Sequence, residues 1–165
     1  MNKKWEILQP DDDQVKRLSA RLNCHPITAA VLLNRNLTTA AEASNFLNTS
    51  LNQILSPFAL KDMDAAVHRI CRAIADKEKI LIFGDYDVDG ISATAVLFEF
   101  LRATGADVSV YIPHRISEGY SLKSHHIDNY ALPNQIQLII TADCGSGSTD
   151  ALAVAAKAGI DVIVT

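Results

Sequence analysis

Four short apolar runs, Ile80–Phe83, Val108–Ile112, Ile136–Thr141 and Ile160–Val164, are separated by stretches whose apolar residues recur at helical spacing. That alternation leaves little choice of architecture, because parallel strands joined by right-handed crossovers carry their helices on both faces of one sheet. The expected class is therefore α/β: a mainly parallel sheet with helices on both faces, preceded by a small helical segment. From Asp62 onward, Met63, Ala66, Val67, Ile70, Cys71 and Ile74 share a helical face. Further helices are expected near Ile91–Thr104, Leu122–Tyr130 and Asp150–Ala158, the last stopped by Gly159.

All seven glycines fall between Gly84 and Gly159, which suggests two different segments joined near Pro57. The expected division is a helical lead-in over 1–58 and an α/β domain over 59–165. In the lead-in, helices are expected at Gln14–Leu22, at Ile27–Asn34 with Pro26 in its first turn, and at Ala40–Asn48, opened by Thr39-Ala-Ala-Glu42 in capping-box spacing. Its apolar residues Leu32, Leu33, Phe46 and Leu47 are expected to pack against the following segment.

The opening Met1-Asn-Lys-Lys-Trp-Glu6 leads into no apolar run of signal or anchor length, so a cytoplasmic location without membrane contact is expected. Cys24, Cys71 and Cys144 are odd in number and widely spaced, which suggests neither a disulfide framework nor a zinc site. The net charge of −4 argues against coating nucleic acid by bulk electrostatics. A local site is still open to the chain, since carboxylates that hold cations attract phosphate once occupied.

In open parallel sheets ligands sit beyond the carboxyl ends of the strands. The first run empties into Gly84-Asp85-Tyr86-Asp87-Val88-Asp89-Gly90, with a carboxylate at every second position. On an extended chain these project to one side, where their mutual repulsion is costly unless a cation is shared, and hard oxygen donors suit magnesium or manganese. The structural alternative is that one aspartate caps the next helix and the others are solvated. A second, non-adjacent strand end offers Asp143, followed by Cys144-Gly-Ser-Gly-Ser148 at a helix start, where small residues such as Gly145 and Ser146 let backbone N–H groups approach an anion. An EF-hand reading fails, because position twelve would be Val96 where calcium needs a bidentate glutamate. A haloacid-dehalogenase-like phosphatase, with Asp87 as nucleophile and Asp89 as acid, is the alternative left open, although Ile91 stands where that pattern usually has threonine.

Phe83-Gly-Asp-Tyr-Asp-Val-Asp-Gly-Ile-Ser-Ala-Thr94 resembles the first motif of the DHH phosphoesterase family. Asn34-Arg35, Phe46-Leu47, Ser56-Pro57-Phe58, Tyr111-Ile-Pro-His-Arg115, Glu118-Gly-Tyr120, Thr141-Ala-Asp-Cys-Gly-Ser146 and Gly159-Ile-Asp-Val-Ile-Val-Thr165 resemble further segments in family order, covering nearly the whole chain. The resemblance implies a 5′→3′ exonuclease on single-stranded DNA, used in repair and recombination and requiring Mn2+ or Mg2+. It implies Asp87, Asp89 and Asp143 as metal ligands, Asp85 as the neighbouring acidic residue of the catalytic group, and Arg115 and Tyr120 on a cleft-lining segment that meets the substrate, alongside the Gly145 and Ser146 read above. Implied partners are single-stranded DNA, a single-stranded-DNA-binding protein and a repair helicase.

Ser121 departs from the family, whose members commonly have glycine there. The Asp-His-His motif that names the family would begin directly after Thr165, so the chain is expected to be an N-terminal portion of the enzyme, inactive alone. In the complete enzyme two cations about 3.5 to 4 Å apart would clamp the scissile phosphate. His114, His125 and His126 are not expected to replace the missing histidines, the last two being read as helix-surface residues. A monomer is expected, with pairing through the exposed final strand as the route to a dimer. A non-catalytic scaffold with the same fold is the third reading.

Overall fold

The structure, a computed structural model, describes Lys4 and residues 6–165; the rest of the opening read above lies outside the described residues. It forms two compact units, Met1–Ser56 and Pro57–Thr165.

The first unit is built from α1 (Asp12–Leu22), α2 (Pro26–Asn34) and α3 (Ala40–Leu47), followed by a short 3-10 turn at Leu51–Gln53. Each start has a local cause. Asp11 accepts the Gln14 N–H at 2.8 Å, Pro26 opens α2, and Thr39 and Glu42 close the reciprocal capping box. Leu18, Ala29, Leu32, Leu33 and Ala43 form this unit's own core. On α3 the residue turned into this core is Ala43, while Phe46 and Leu47 are 49% and 45% exposed and Phe46 lies under the Arg35 guanidinium.

The second unit holds α4 (Met63–Ala75), β1 (Lys79–Gly84), α5 (Val88–Ala103), β2 (Asp107–Tyr111), α6 (Ser124–His126), β3 (Leu138–Ala142), α7 (Thr149–Lys157) and β4 (Asp161–Val164). All strand pairs are parallel, in the order β2-β1-β3-β4. The strand alternation divides the core cleanly. Ile80, Ile82, Leu138 and Ile140 point to α4 and α5, whereas Leu81, Phe83 and Ile139 point to the face covered by α6 and α7. Fully burying each of these side chains contributes about 1.5–3 kcal/mol, so the two central strands anchor the unit.

The order follows from handedness. The β1–α5–β2 crossover runs one way along the sheet and the crossovers through α6 and α7 run the other, so a constant right-handed turn sends the helices to opposite faces. The reversal falls between β1 and β3, and such a switch point opens a crevice at the carboxyl ends of the strands.

At the opposite, amino-terminal edge, Arg69 of α4 ties the strands together. Its Nη2 lies 2.6 Å from Glu78 Oε2, and its Nε donates to Asp161 Oδ2 at 2.5 Å. The Glu78 contact is close but not aligned as a hydrogen bond, leaving Arg69 Nη1 and Glu78 Oε2 buried without one.

Elements differ from expectation in two places. The helix expected over Leu122–Tyr130 is one α-turn, Ser124–His126, running into a π-turn over Ile127–Ala131, whose wider winding buries both Ile127 and Ala131. The last strand begins at Asp161 rather than Ile160, because the Ile160 N–H closes α7 on the Ala155 carbonyl at 2.9 Å across Gly159, whose φ is +73°.

Candidate metal and phosphate site

Asp85 leaves β1 still hydrogen-bonded to the sheet: its N–H donates to the Ala142 carbonyl at 3.1 Å. That bond fixes it on the crevice floor, 4% exposed, with Oδ1 accepting the Tyr86 N–H at 2.8 Å. The start of α5 rests on it. A Cβ on Gly90 would stand 2.6 Å from the Asp85 Cβ and carbonyl oxygen, so only glycine fits there. Asp87 is the N-cap of α5, its Oδ1 accepting the Gly90 N–H at 3.0 Å. The capping alternative is thus realised by one oxygen of Asp87, leaving the other to face the crevice chemistry.

β3 is non-consecutive with β1 in the chain but its direct neighbour in the sheet, so Asp143 comes in from the other wall. Its φ of +59° is uncommon for a side-chain-bearing residue. The turn is held by Thr141 Oγ1 donating to the Cys144 carbonyl at 2.8 Å and by the Tyr120 hydroxyl donating to the Asp143 carbonyl at 3.2 Å. Carboxylate oxygens of Asp85, Asp87 and Asp143 all lie within 4.8 Å of one another. Loss of hydration, and then the charges of Asp87, Asp89 and Asp85, push the Asp143 carboxyl above its ordinary pKa. Three carboxylates converging this closely offer the hard oxygen donors that fit a divalent cation.

Asp89 stands exposed in the first turn of α5 and is not one of the three grouped residues, although its charge reaches Asp143. Arg115 lies with its guanidinium carbon 5.1 Å from the centre of the Tyr86 ring, beside the β1 loop. Gly145 does not offer its N–H to an anion: it donates to Ser121 Oγ at 3.1 Å, and Ser121 Oγ also pairs with Ser148 Oγ at 2.9 Å. Ser121 has φ +70°, a region that favours glycine, and its hydroxyl ties α7's entrance to the loop after β2. Ser146, exposed, lines a cavity of about 590 Å³ together with Tyr120, Lys123 and Asp143.

A second group, Glu118, His125 and His126, also brings potential ligand atoms within 4.8 Å. The surface reading is corrected for His126, which is 2% exposed and packed against Phe83 and Tyr111; His125 is exposed. His126 Nδ1 accepts the Lys123 N–H at 3.0 Å, so the neutral ring carries its proton on Nε2, 3.4 Å from Glu118 Oε1. Ligation through Nε2 would need the reverse tautomer, and Nδ1 is already taken by the Lys123 N–H, so His126 is held as a structural residue.

Glu118 is held below the ordinary carboxylate range by the His114 N–H first and then by the Tyr111 hydroxyl. A depressed folded pKa means its stabilisation is complete above the unfolded value and lost as pH falls through the folded one. Tyr111, hydrogen-bonded to Glu118, is pushed up to about 12. Its stabilisation is complete below the unfolded pKa and lost as pH rises through the folded value. Replacing Glu118 by Gln is expected to flatten the acid limb of thermal stability, read by circular dichroism, and to return the highest-titrating tyrosine toward its ordinary range in an absorbance titration.

Residues 79–165, just over half of the chain, match the DHH family, N-terminal domain, and the chain belongs to that family. Its relatives carry a specific name. Bacillus subtilis single-stranded-DNA-specific exonuclease RecJ is 40% identical over 162 residues, 98% of this chain and 20% of that protein. A crystal structure of RecJ bound to manganese aligns with a TM-score of 0.62 at 35% identity, covering 68% of this chain and 29% of that one. RecJ of Thermus thermophilus aligns in its Mn2+ complex at TM-score 0.61 and 28% identity, and in its Mg2+ complex at 0.53 and 27%, each covering 94% of this chain and 21% and 18% of those. The chain thus spans about a fifth to three tenths of the length of these relatives.

Proposed function

We propose that this chain contributes the aspartate cluster of a divalent-metal site that hydrolyses phosphodiester bonds of single-stranded DNA from the 5′ end, in repair and recombination. What carries the reading is the meeting of Asp85, Asp87 and Asp143 at the sheet's switch point, in a DHH-family chain whose relatives are named single-stranded-DNA exonucleases. Asp85, Asp87 and Asp143 are the residues that would hold a cation, with Asp89 supplying further negative charge. Mn2+ or Mg2+ bound there would neutralise phosphate charge and lower the pKa of an attacking water. Arg115 approaches the DNA backbone, Tyr120 and Ser146 border the same crevice, and Gly145 acts by shaping it.

Three carboxylates fill only part of two cations' ligand spheres, so turnover by this chain alone is expected to be very low, and binding is the better readout. A 5′-phosphorylated single-stranded oligonucleotide is expected to bind in Mn2+, to dissociate in EDTA, and to be lost in Asp143→Asn. Equal binding in EDTA would sink the reading and favour a non-catalytic scaffold. We propose further that the two units are separate domains. Among the described residues no helix is long and apolar enough to cross a membrane.

A further inference from the structure

The loop between β2 and α6 touches both walls of the site. From one part of it Arg115 stacks over Tyr86, next to Asp85 and Asp87; from another the Tyr120 hydroxyl donates to the Asp143 carbonyl. Both side chains are exposed, and neither contact could hold an irregular loop in place by itself. The far end of the loop is tied to the start of α7 by the Ser121 hydroxyl, and its turn is held by Glu118. One carboxylate oxygen accepts the Tyr111 hydroxyl from the end of β2, and the other accepts the His114 N–H at 2.6 Å. The Glu118 N–H and the Gly119 N–H both return to the His114 carbonyl, at 2.9 and 3.2 Å, closing the turn around Arg115. The Glu118 carbonyl accepts from Lys123 Nζ, so the turn is also fastened to the residue that opens α6.

We infer that Glu118 is a positioning residue: it locks the loop of residues 113–121 in the form that sets Arg115 against Tyr86 and Tyr120 against Asp143. Two donors arriving on two oxygens of one side chain fix its orientation, and the loop closes around that fixed point. The value of the lock to function rests on the nuclease reading above. The lock itself does not.

The test uses the metal-free chain and the ring-current shift that Tyr86 imposes on the Arg115 side-chain methylenes in NMR spectra, with Tyr86→Leu defining the unstacked position. In Glu118→Leu, which removes both acceptors, Arg115 is expected to move to the unstacked position while the amides of Ile80–Phe83 and Leu138–Ile140 stay in place. Glu118→Gln, which keeps an acceptor for His114 and an amide for Tyr111, is expected to bring Arg115 back toward the parent position. An Arg115 signal already unstacked in the parent, one still stacked in Glu118→Leu, a glutamine that restores nothing, or sheet amides that move as well would each overturn the inference. A second readout separates the two readings. Affinity for a 5′-phosphorylated single-stranded oligonucleotide is expected to fall about tenfold in Glu118→Leu, the worth of one charge-assisted hydrogen bond. A parent chain that binds no oligonucleotide counts against the nuclease reading, while the NMR result still decides the role of Glu118.

Discussion

Asp143→Asn is expected to melt at a higher temperature than the parent without metal, and to lose the further rise that Mn2+ gives the parent. In the metal-free chain Asp143 ionises against poor hydration and the charges of Asp87, Asp89 and Asp85, so removing its charge relieves the folded state. Asparagine is the suitable replacement because it tolerates the φ of +59°, which alanine would not. In the parent, Mn2+ at a hundredfold excess over its dissociation constant adds about 2.7 kcal/mol, or roughly 5–10 °C for a chain of this size. Asp87→Asn should likewise lose the Mn2+ effect while keeping its cap, since asparagine caps as well as aspartate does. Thermal unfolding followed by circular dichroism, with Mn2+ and with EDTA, checks both variants. A full Mn2+ rise in Asp143→Asn would place the cation elsewhere.

The largest effect on the fold is expected from Arg69→Ala. Arg69 and Glu78 are each only 14% exposed at the side chain, so the mutation strands a nearly buried carboxylate at the foot of β1 and leaves Asp161 of β4 with only the longer Arg72 contact at 3.5 Å. Breaking one side of such a pair costs about 3–5 kcal/mol, much of it the desolvation of the partner left behind. Glu78→Leu added to Arg69→Ala should therefore recover part of the loss. Asp161 is 56% exposed, and losing its contact alone should cost no more than about 1 kcal/mol. Urea unfolding distinguishes these outcomes; a loss below about 1 kcal/mol for Arg69→Ala would mean that the pair is effectively solvated.

The four strands and the helices α4, α5 and α7 were legible because period two and period 3.6 are both strong in this part of the chain. The crevice was legible for the same reason: carboxylates after two strand ends are conspicuous once the strands are found. Strand order was not. Only the pairing of β1 with β3 shows that Asp85 and Asp143 face each other, and no local pattern encodes that neighbourhood. Sequence marks Asp85 only as an accompanying acid, and its place among the grouped ligands depends on one further ladder bond to Ala142. Which side of α3 turns into the first unit's core was not legible, because apolar character alone does not separate Ala43 from Phe46 and Leu47. His126 was hidden by a π-turn that helical spacing cannot anticipate. Ser121 carried a usable signal, since a residue standing where glycine is usual points to a positive φ; its bond to Gly145 required the fold.

The proposed chemistry depends above all on one cation being shared by Asp85, Asp87 and Asp143. Anomalous diffraction from crystals of the chain soaked in Mn2+ tests this directly. The predicted result is a manganese peak about 2.1 Å from a carboxylate oxygen of each of the three, within the usual range for hard divalent cations; a peak beside other residues, or none at saturating Mn2+, would contradict it.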